Sequence, residues 1–265
     1  MNDTEFKKIL LPLEENLFTR LSLSAEFEST GKGRLGNHLV KVEDMLIPIV
    51  RTTTRYTIPA TAFSKIHHQL VDSINEKLSS ENVEIPKQDF NNALIEIYDS
   101  SYTKMGFHSD QALDLKDDSF IGLFSCYDRP EEIEESQLRK LVVKNKTTDE
   151  EFEILLHHNS VVLFSVEDNK KFQHKIILNS ASSSRKVEND NKWLGITFRT
   201  SKTHIKFQDE KPYFSTGEVL TKADQEQEAE FFKLRGQENR LLDFVYPPIF
   251  FTISQADTLP PIHKE

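Results

Sequence analysis

Cysteine is nearly absent from this chain. Cys126 is the only one in 265 residues, which excludes an internal disulfide and any cysteine-rich metal site. A metal centre would have to be built from imidazole and carboxylate groups instead. Cys126 follows an apolar run and reads as a small buried residue rather than a nucleophile. One unpaired thiol suits a reducing compartment, so a cytoplasmic location is expected. Long apolar runs are lacking as well. The one apolar cluster near the N-terminus, Ile9-Leu10-Leu11, is cut by Pro12, so neither a signal peptide nor a transmembrane helix is expected. Basic charge is in deficit, with 33 Lys and Arg against 43 Asp and Glu and a net charge of −10. That balance disfavours a general polyanion-binding surface. A local basic face stays open, because the acidic residues concentrate in 128–135 and 224–230. Arg51, Arg55, Lys170, Lys171, Lys202 and Lys206 lie in other segments. No low-complexity tract or internal repeat stands out.

The length is enough for one substantial core, or a core with a small appendage. Phe63, Ile66, Leu70, Ile74 and Leu78 recur at helical spacing after Pro59 and predict an amphipathic helix that buttresses a sheet. His67 and His68 ride on it in a surface or packing role. Strand-like runs follow at 93–98, 119–125, 140–143, 152–156, 160–165, 173–178, 193–199 and 203–207, separated by short polar turns. Such a series suits a mainly β protein with supporting helices and a double-stranded β-helix, or jelly-roll, core. The runs 160–165 and 173–178, joined by the polar turn Glu167-Asp168-Asn169-Lys170-Lys171, read as a hairpin. The glutamate-rich residues 128–138 read as an insertion between strands. His157 and His158 sit at the turn before the 160–165 run and read as surface residues. Three regions are expected: 1–80 with N-terminal helices, strands and a substrate lid packed on the barrel, 81–210 as the jelly-roll core, and 211–265 as a helical and aromatic extension.

Against this framework, His108, Asp110 and His174 stand out, followed by Arg199 in Trp193-Leu194-Gly195-Ile196-Thr197-Phe198-Arg199. Two imidazoles and one carboxylate on neighbouring strands can hold one face of a ferrous ion and leave three positions for a bidentate cosubstrate and dioxygen. An arginine on the next strand can then clamp a carboxylate. His-x-Asp alone is a weak signal, but this one lies between two strand-like runs, and His174 falls near a strand start.

Tyr98, His108-Ser109-Asp110, the 161–164 strand leading to Phe172-Gln173-His174-Lys175-Ile176, and Ile196-Thr197-Phe198-Arg199 resemble the AlkB-like branch of the Fe(II)- and 2-oxoglutarate-dependent dioxygenases over roughly residues 45–207. The resemblance implies a dioxygenase in which His108, Asp110 and His174 ligate Fe(II). Arg199, with Thr197 in the same tail, would lie beside the chelating end of 2-oxoglutarate, and Tyr98 would hydrogen-bond the cosubstrate. It further implies oxidative decarboxylation to succinate and carbon dioxide coupled to oxidation of a C–H or N-methyl group. An N-methyl substrate would lose formaldehyde.

This chain departs from the AlkB-like pattern where that pattern places a second arginine and an asparagine. Those positions hold Trp193 and Gly195, and Glu96 replaces an asparagine expected two residues before Tyr98. An unpaired carboxylate in a dry pocket is costly, so another group must hold the distal end of the cosubstrate. Arg199 is expected as the principal clamp, with Arg185 and Lys202 as alternatives. Residues 46–56, including Arg51, Thr53 and Tyr56, are either a substrate-reading lid or an extra edge strand. A charged helix is expected over 221–240, followed by the aromatic segment 244–251, which must cover the barrel, line the pocket or form a dimer contact. Methylated nucleic acid is the first expected partner, with a protein or small molecule as the alternative and no membrane. The rival from another class is a non-catalytic jelly-roll binding module.

Overall fold

The computed structural model describes residues 5–103, 105–178 and 191–264. Among these, the chain is mainly β and is built on two facing antiparallel sheets. The larger runs in the order β1 (Phe6–Leu10), β10 (Ser160–Ser165), β7 (Phe120–Tyr127), β12 (Trp193–Arg199), β6 (Asn92–Tyr98), β3 (Arg34–Val40), β2 (Glu28–Gly31), with β5 (Thr61–Ala62) beside β3. The smaller consists of β11 (Phe172–Ile177), β8 (Lys140–Asn145) and β9 (Glu151–Leu155). This is a jelly-roll core.

Period-two alternation sorts the side chains of the larger sheet onto its two faces. On one face Ile95, Phe124, Leu163, Ile196 and Phe198 pack against Ile66, Leu70, Ile74 and Leu78 of helix α2 (Lys65–Ser80). On the other, Tyr98, Leu123, Phe164 and Trp193 meet Leu141, Val143, Phe172 and Ile176 of the smaller sheet. The helix begins with a capping box in which the Ser64 N–H donates to His67 Nδ1 at 2.9 Å. His67 is fully buried, and its Nε2 lies 3.0 Å from the Ser24 hydroxyl. Helix α1 (Phe18–Leu23) contributes Phe18 and Leu21 to the same core.

Two connections differ from the sequence expectation. Strands β10 and β11 do not form a hairpin, because they belong to opposite sheets. Their connector is a short helix, α3 (Val166–Lys171), started by the Ser165 hydroxyl accepting from the Asp168 N–H. Facing sheets lie about 10 Å apart, which a tight turn cannot bridge. The 128–138 stretch makes a similar crossing, from β7 to β8, through short 3-10 turns at Pro130–Glu132 and Glu135–Gln137.

Strand β13 (His204–Gln208) pairs with β14 (Lys211–Phe214) and with a two-residue strand β4 (Ile47–Pro48). Beyond them lie β15 (Thr221–Lys222), helix α4 (Gln225–Glu238) and β16 (Phe251–Thr252), which pairs in parallel with β15. The expected 221–240 helix is therefore shorter, since its first residues are strand and Asp224 caps it through the N–H groups of Glu226 and Gln227. Of the aromatic segment, Ile249 and Phe251 pack with Phe231 and Ile253 in a small core of their own, whereas Val245 and Phe250 are exposed. No helix among the described residues is long and apolar enough to cross a membrane.

Candidate active site

The loop between β6 and β7 carries the His-x-Asp pair and docks on β11 as an extra rung. The His108 N–H donates to the His174 carbonyl at 3.0 Å, and the His174 N–H returns a bond of 2.7 Å. Directly opposed residues share a face, so the two imidazole rings meet with centroids 4.7 Å apart. Asp110, two residues along the loop, falls on the same side. Its backbone is bracketed by Asn169 of α3, which accepts from the Asp110 N–H and donates to the Asp110 carbonyl, both at 2.7 Å. The three side chains place their ligand atoms within 4.8 Å of one another.

The two carboxylate oxygens of Asp110 have different partners. Oδ1 faces the imidazoles, 3.4 Å from His174 Nε2 and 4.0 Å from His108 Nε2. Oδ2 accepts from Nε and Nη2 of Arg199 at 2.8 and 2.7 Å. Burial alone would raise the Asp110 pKa, but Arg199 and then the two histidines hold it well below the usual carboxylate range. Desolvation in the cluster, reinforced by the adjacent His174, pushes His108 down to about 3. His108 Nδ1 lies 3.0 Å from the Gly106 carbonyl. A carbonyl only accepts, so this bond assigns the ring proton to Nδ1 and leaves the Nε2 lone pair facing Asp110. An ionised carboxylate oxygen and two imidazoles at this spacing are a donor set for a divalent transition ion.

The triad lines a cavity of about 480 Å³ that also reaches Arg34, Glu96, Thr197 and Arg199. Phe107, Thr53 and Phe232 line it too. Other sequence-selected residues fall elsewhere. Tyr98 is fully buried and donates from its hydroxyl to Glu96 Oε2 at 2.7 Å. Arg51 is buried in an ion pair with Asp114 at 2.7 Å and donates to the carbonyls of Ile249 and Phe251. Tyr56 is buried against His38, ring centroids 4.8 Å apart. Lys202 is in an exposed ion pair with Asp117, and Arg185 lies outside the described residues.

Trp193 and Gly195 are coupled. The indole folds back across Gly195, where a Cβ would overlap the ring, and its N–H donates to the Ser125 hydroxyl at 2.6 Å. Glu96 lies opposite Gly195 on β12 and opposite Gly36 on β3. It is paired with Arg34, whose Nε and Nη2 lie 2.6 and 2.5 Å from Oε1. Sequence reasoning missed Arg34, Asn169 and the α4 residues Arg235 and Gly236 that line the cavity with Asn239. None lies at a motif spacing from the triad.

The profile described as the 2OG-Fe(II) oxygenase superfamily matches residues 21–199. The chain belongs to that superfamily. The 2OG-Fe(II) oxygenases are enzymes that use Fe(II) and 2-oxoglutarate, and the His108, Asp110, His174 set suits the metal by donor type and spacing. Arg199 and the long cavity beside the triad suit an anionic cosubstrate. The match ends at Arg199, so β13 onward, including α4, is outside it. Among curated proteins nothing matches. Among solved structures, one reported as the structure of OsALKBH1 is 13% identical with a TM-score of 0.49, covering 74% of this chain and 98% of its own. A Pseudomonas putida prolyl-4-hydroxylase is 12% identical with a TM-score of 0.42, covering 75% of this chain and 95% of its own.

Proposed function

We propose that this oxygenase is AlkB-like and oxidises an N-methyl or other C–H group, with methylated nucleic acid as the first substrate class. The observation that carries the reading is the ion pair between Arg199 and Asp110: one carboxylate oxygen faces the two imidazoles while the other anchors the arginine that ends the Thr197-Phe198-Arg199 motif. When bound, Fe(II) and 2-oxoglutarate supply the oxidising chemistry, converting dioxygen, 2-oxoglutarate and a C–H bond to succinate, carbon dioxide and a C–O–H group. The protein's own residues hold and orient. His108, Asp110 and His174 present the metal-binding face, Asn169 fixes the Asp110 backbone, and Leu123, Leu141 and Phe164 keep the inner cavity wall apolar and dry.

The nucleic-acid reading draws support from Phe107, next to His108 in the cavity lining. Lys175 Nζ sits 3.8 Å from its ring centroid and Lys144 Nζ 5.8 Å. An aromatic ring flanked by cations suits a base and its phosphate.

The test is anaerobic titration with Fe(II) and 2-oxoglutarate, following the visible charge-transfer band, with His108→Ala as control. A band in the intact protein alone is expected. Its absence from both would return the chain to a non-catalytic jelly-roll binding module. Formaldehyde release from methylated oligonucleotides is then expected. Succinate formation without formaldehyde on any methylated oligonucleotide would move the assignment to hydroxylation of a protein side chain or small metabolite.

A further inference from the structure

Among the described residues, three guanidinium groups line the cavity: Arg199, Arg235 and Arg34. Arg199 commits Nε and Nη2 to Asp110 and is thereby tied to the metal-binding end. Arg235 donates to Glu238 and to the Ser109 carbonyl, which ties it to the loop at the mouth. Arg34 lies at the other end. Strand register places Arg34 opposite Tyr98 and Arg199 opposite Asn92 on the same strand β6. Six residues of strand separate those rows, about 20 Å of backbone, and both long side chains reach into one cavity. The cavity thus has a cation at each end.

A dicarboxylate fits that arrangement. The 2-oxo acid end of 2-oxoglutarate chelates the metal, and its distal carboxylate needs a cation in a dry pocket. The position where the AlkB-like pattern puts an arginine is filled by Trp193, whose indole also occupies the space over Gly195. Arg34 stands in the same cross-strand row as Trp193, with Tyr98 between them. Building on the dioxygenase reading above, we propose that Arg34 of β3 binds the distal carboxylate of 2-oxoglutarate, and that Glu96 and Tyr98 position its guanidinium.

The hydrogen-bond inventory permits this. Arginine has five N–H donors; Nε and Nη2 of Arg34 engage Glu96 Oε1 and the guanidinium also bonds the Tyr102 hydroxyl, which leaves donors over. Glu96 is held in turn by the Tyr98 hydroxyl on Oε2. Arg34 can therefore bridge an internal and an incoming carboxylate. Gly36, opposite Glu96 on β3, keeps the strand open beside that side chain: a Cβ there would meet the Tyr56 hydroxyl at 3.0 Å and Glu96 Cγ at 3.6 Å. Burial disfavours the charge on Arg34, but Glu96 and the surrounding tyrosines outweigh it and raise its pKa, so the cation is permanent.

The test compares two ligands in Fe(II)-loaded protein without oxygen, using the charge-transfer band for the dissociation constants. One is 2-oxoglutarate, and the other is 2-oxopentanoate, which has the same chain and chelating end but no distal carboxylate. Arg34→Gln is expected to weaken 2-oxoglutarate roughly 10- to 100-fold and to leave 2-oxopentanoate unchanged, with Arg34→Lys recovering part of the loss. The double variant Arg34→Gln with Glu96→Gln removes the buried unpaired charge that the single change leaves behind, and it should show the same ligand selectivity. Unchanged 2-oxoglutarate affinity in both variants, or equal loss of both ligands, would overturn the assignment. Failure of the dioxygenase reading looks different: wild-type protein would give no band with either ligand, and the assignment of Arg34 would fall with it.

Discussion

Asn239 accepts the backbone N–H of Ser109 on its side-chain oxygen at 2.9 Å, and Ser109 is the residue between His108 and Asp110. Arg235 donates to the carbonyl of the same residue, and the Ser109 hydroxyl donates to the Phe172 carbonyl at 2.9 Å. Glu238 accepts from the Ala112 N–H at 2.8 Å. The end of α4, outside the matched superfamily region, therefore grips both sides of the turn that presents His108 and Asp110, two of the three candidate metal ligands.

Groups that orient metal ligands typically contribute 10- to 100-fold in metal affinity. Asn239→Ala should accordingly weaken Fe(II) binding by about that factor while the melting temperature moves little, because the residue lies at the end of its helix. Fe(II) titration beside a thermal melt checks this. Equal iron affinity in the two proteins would mean that the grip from α4 does not govern ligand placement.

The contact of Trp193 with Gly195 predicts a double-mutant result. Gly195→Ala should destabilise by about 1–3 kcal/mol, since the new methyl overlaps the indole. Trp193→Leu should cost about 2–4 kcal/mol through the void it leaves. Together they should cost clearly less than the sum, because the smaller side chain vacates the space the methyl needs. Urea unfolding of the four proteins reads the coupling, and strict additivity would contradict it.

Acid stability should depend on two buried histidines. Burial, and then Arg199, lowers the His38 pKa to about 3, while burial and then His68 lowers that of His67 to about 4. Both are neutral in the folded state, whereas the unfolded chain takes up their protons near pH 6.5. Below that value the unfolded state binds more protons, so stability is present above about 6.5 and is lost as pH falls towards the folded values. The loss between pH 7 and pH 5 should be about 2 kcal/mol for each histidine. Urea unfolding at the two pH values, comparing wild type with His38→Gln, measures it. A pH dependence that His38→Gln leaves unaltered would remove His38 from the account.

Much of the scaffold was legible because it is local. Near-continuous apolar runs along 93–98, 160–165 and 193–199 mark strands with two buried faces, and the 3.6-residue recurrence of Ile66, Leu70, Ile74 and Leu78 marks the helix against one of them. The spacing of His108 and Asp110 puts both on one side of an extended loop. The hairpin expected for β10 and β11 failed for a reason no alternation encodes: a strand looks the same whichever sheet it joins.

By itself the sequence determined the strand and helix patterns and the imidazole and carboxylate character of any metal centre, because these follow from residue type and short-range spacing, and its resemblance to the AlkB-like pattern singled out His108, Asp110, His174 and Arg199 as candidates. Only the tertiary structure decided which oxygen of Asp110 faces the imidazoles, that Asn169 and Asn239 hold the ligand loop, that Trp193 lies over Gly195, and that Arg34 meets Glu96 across 62 residues of chain. Those relations come from strands and loops brought together by register and packing, and hydrogen bonds between distant segments leave no periodic mark on either segment.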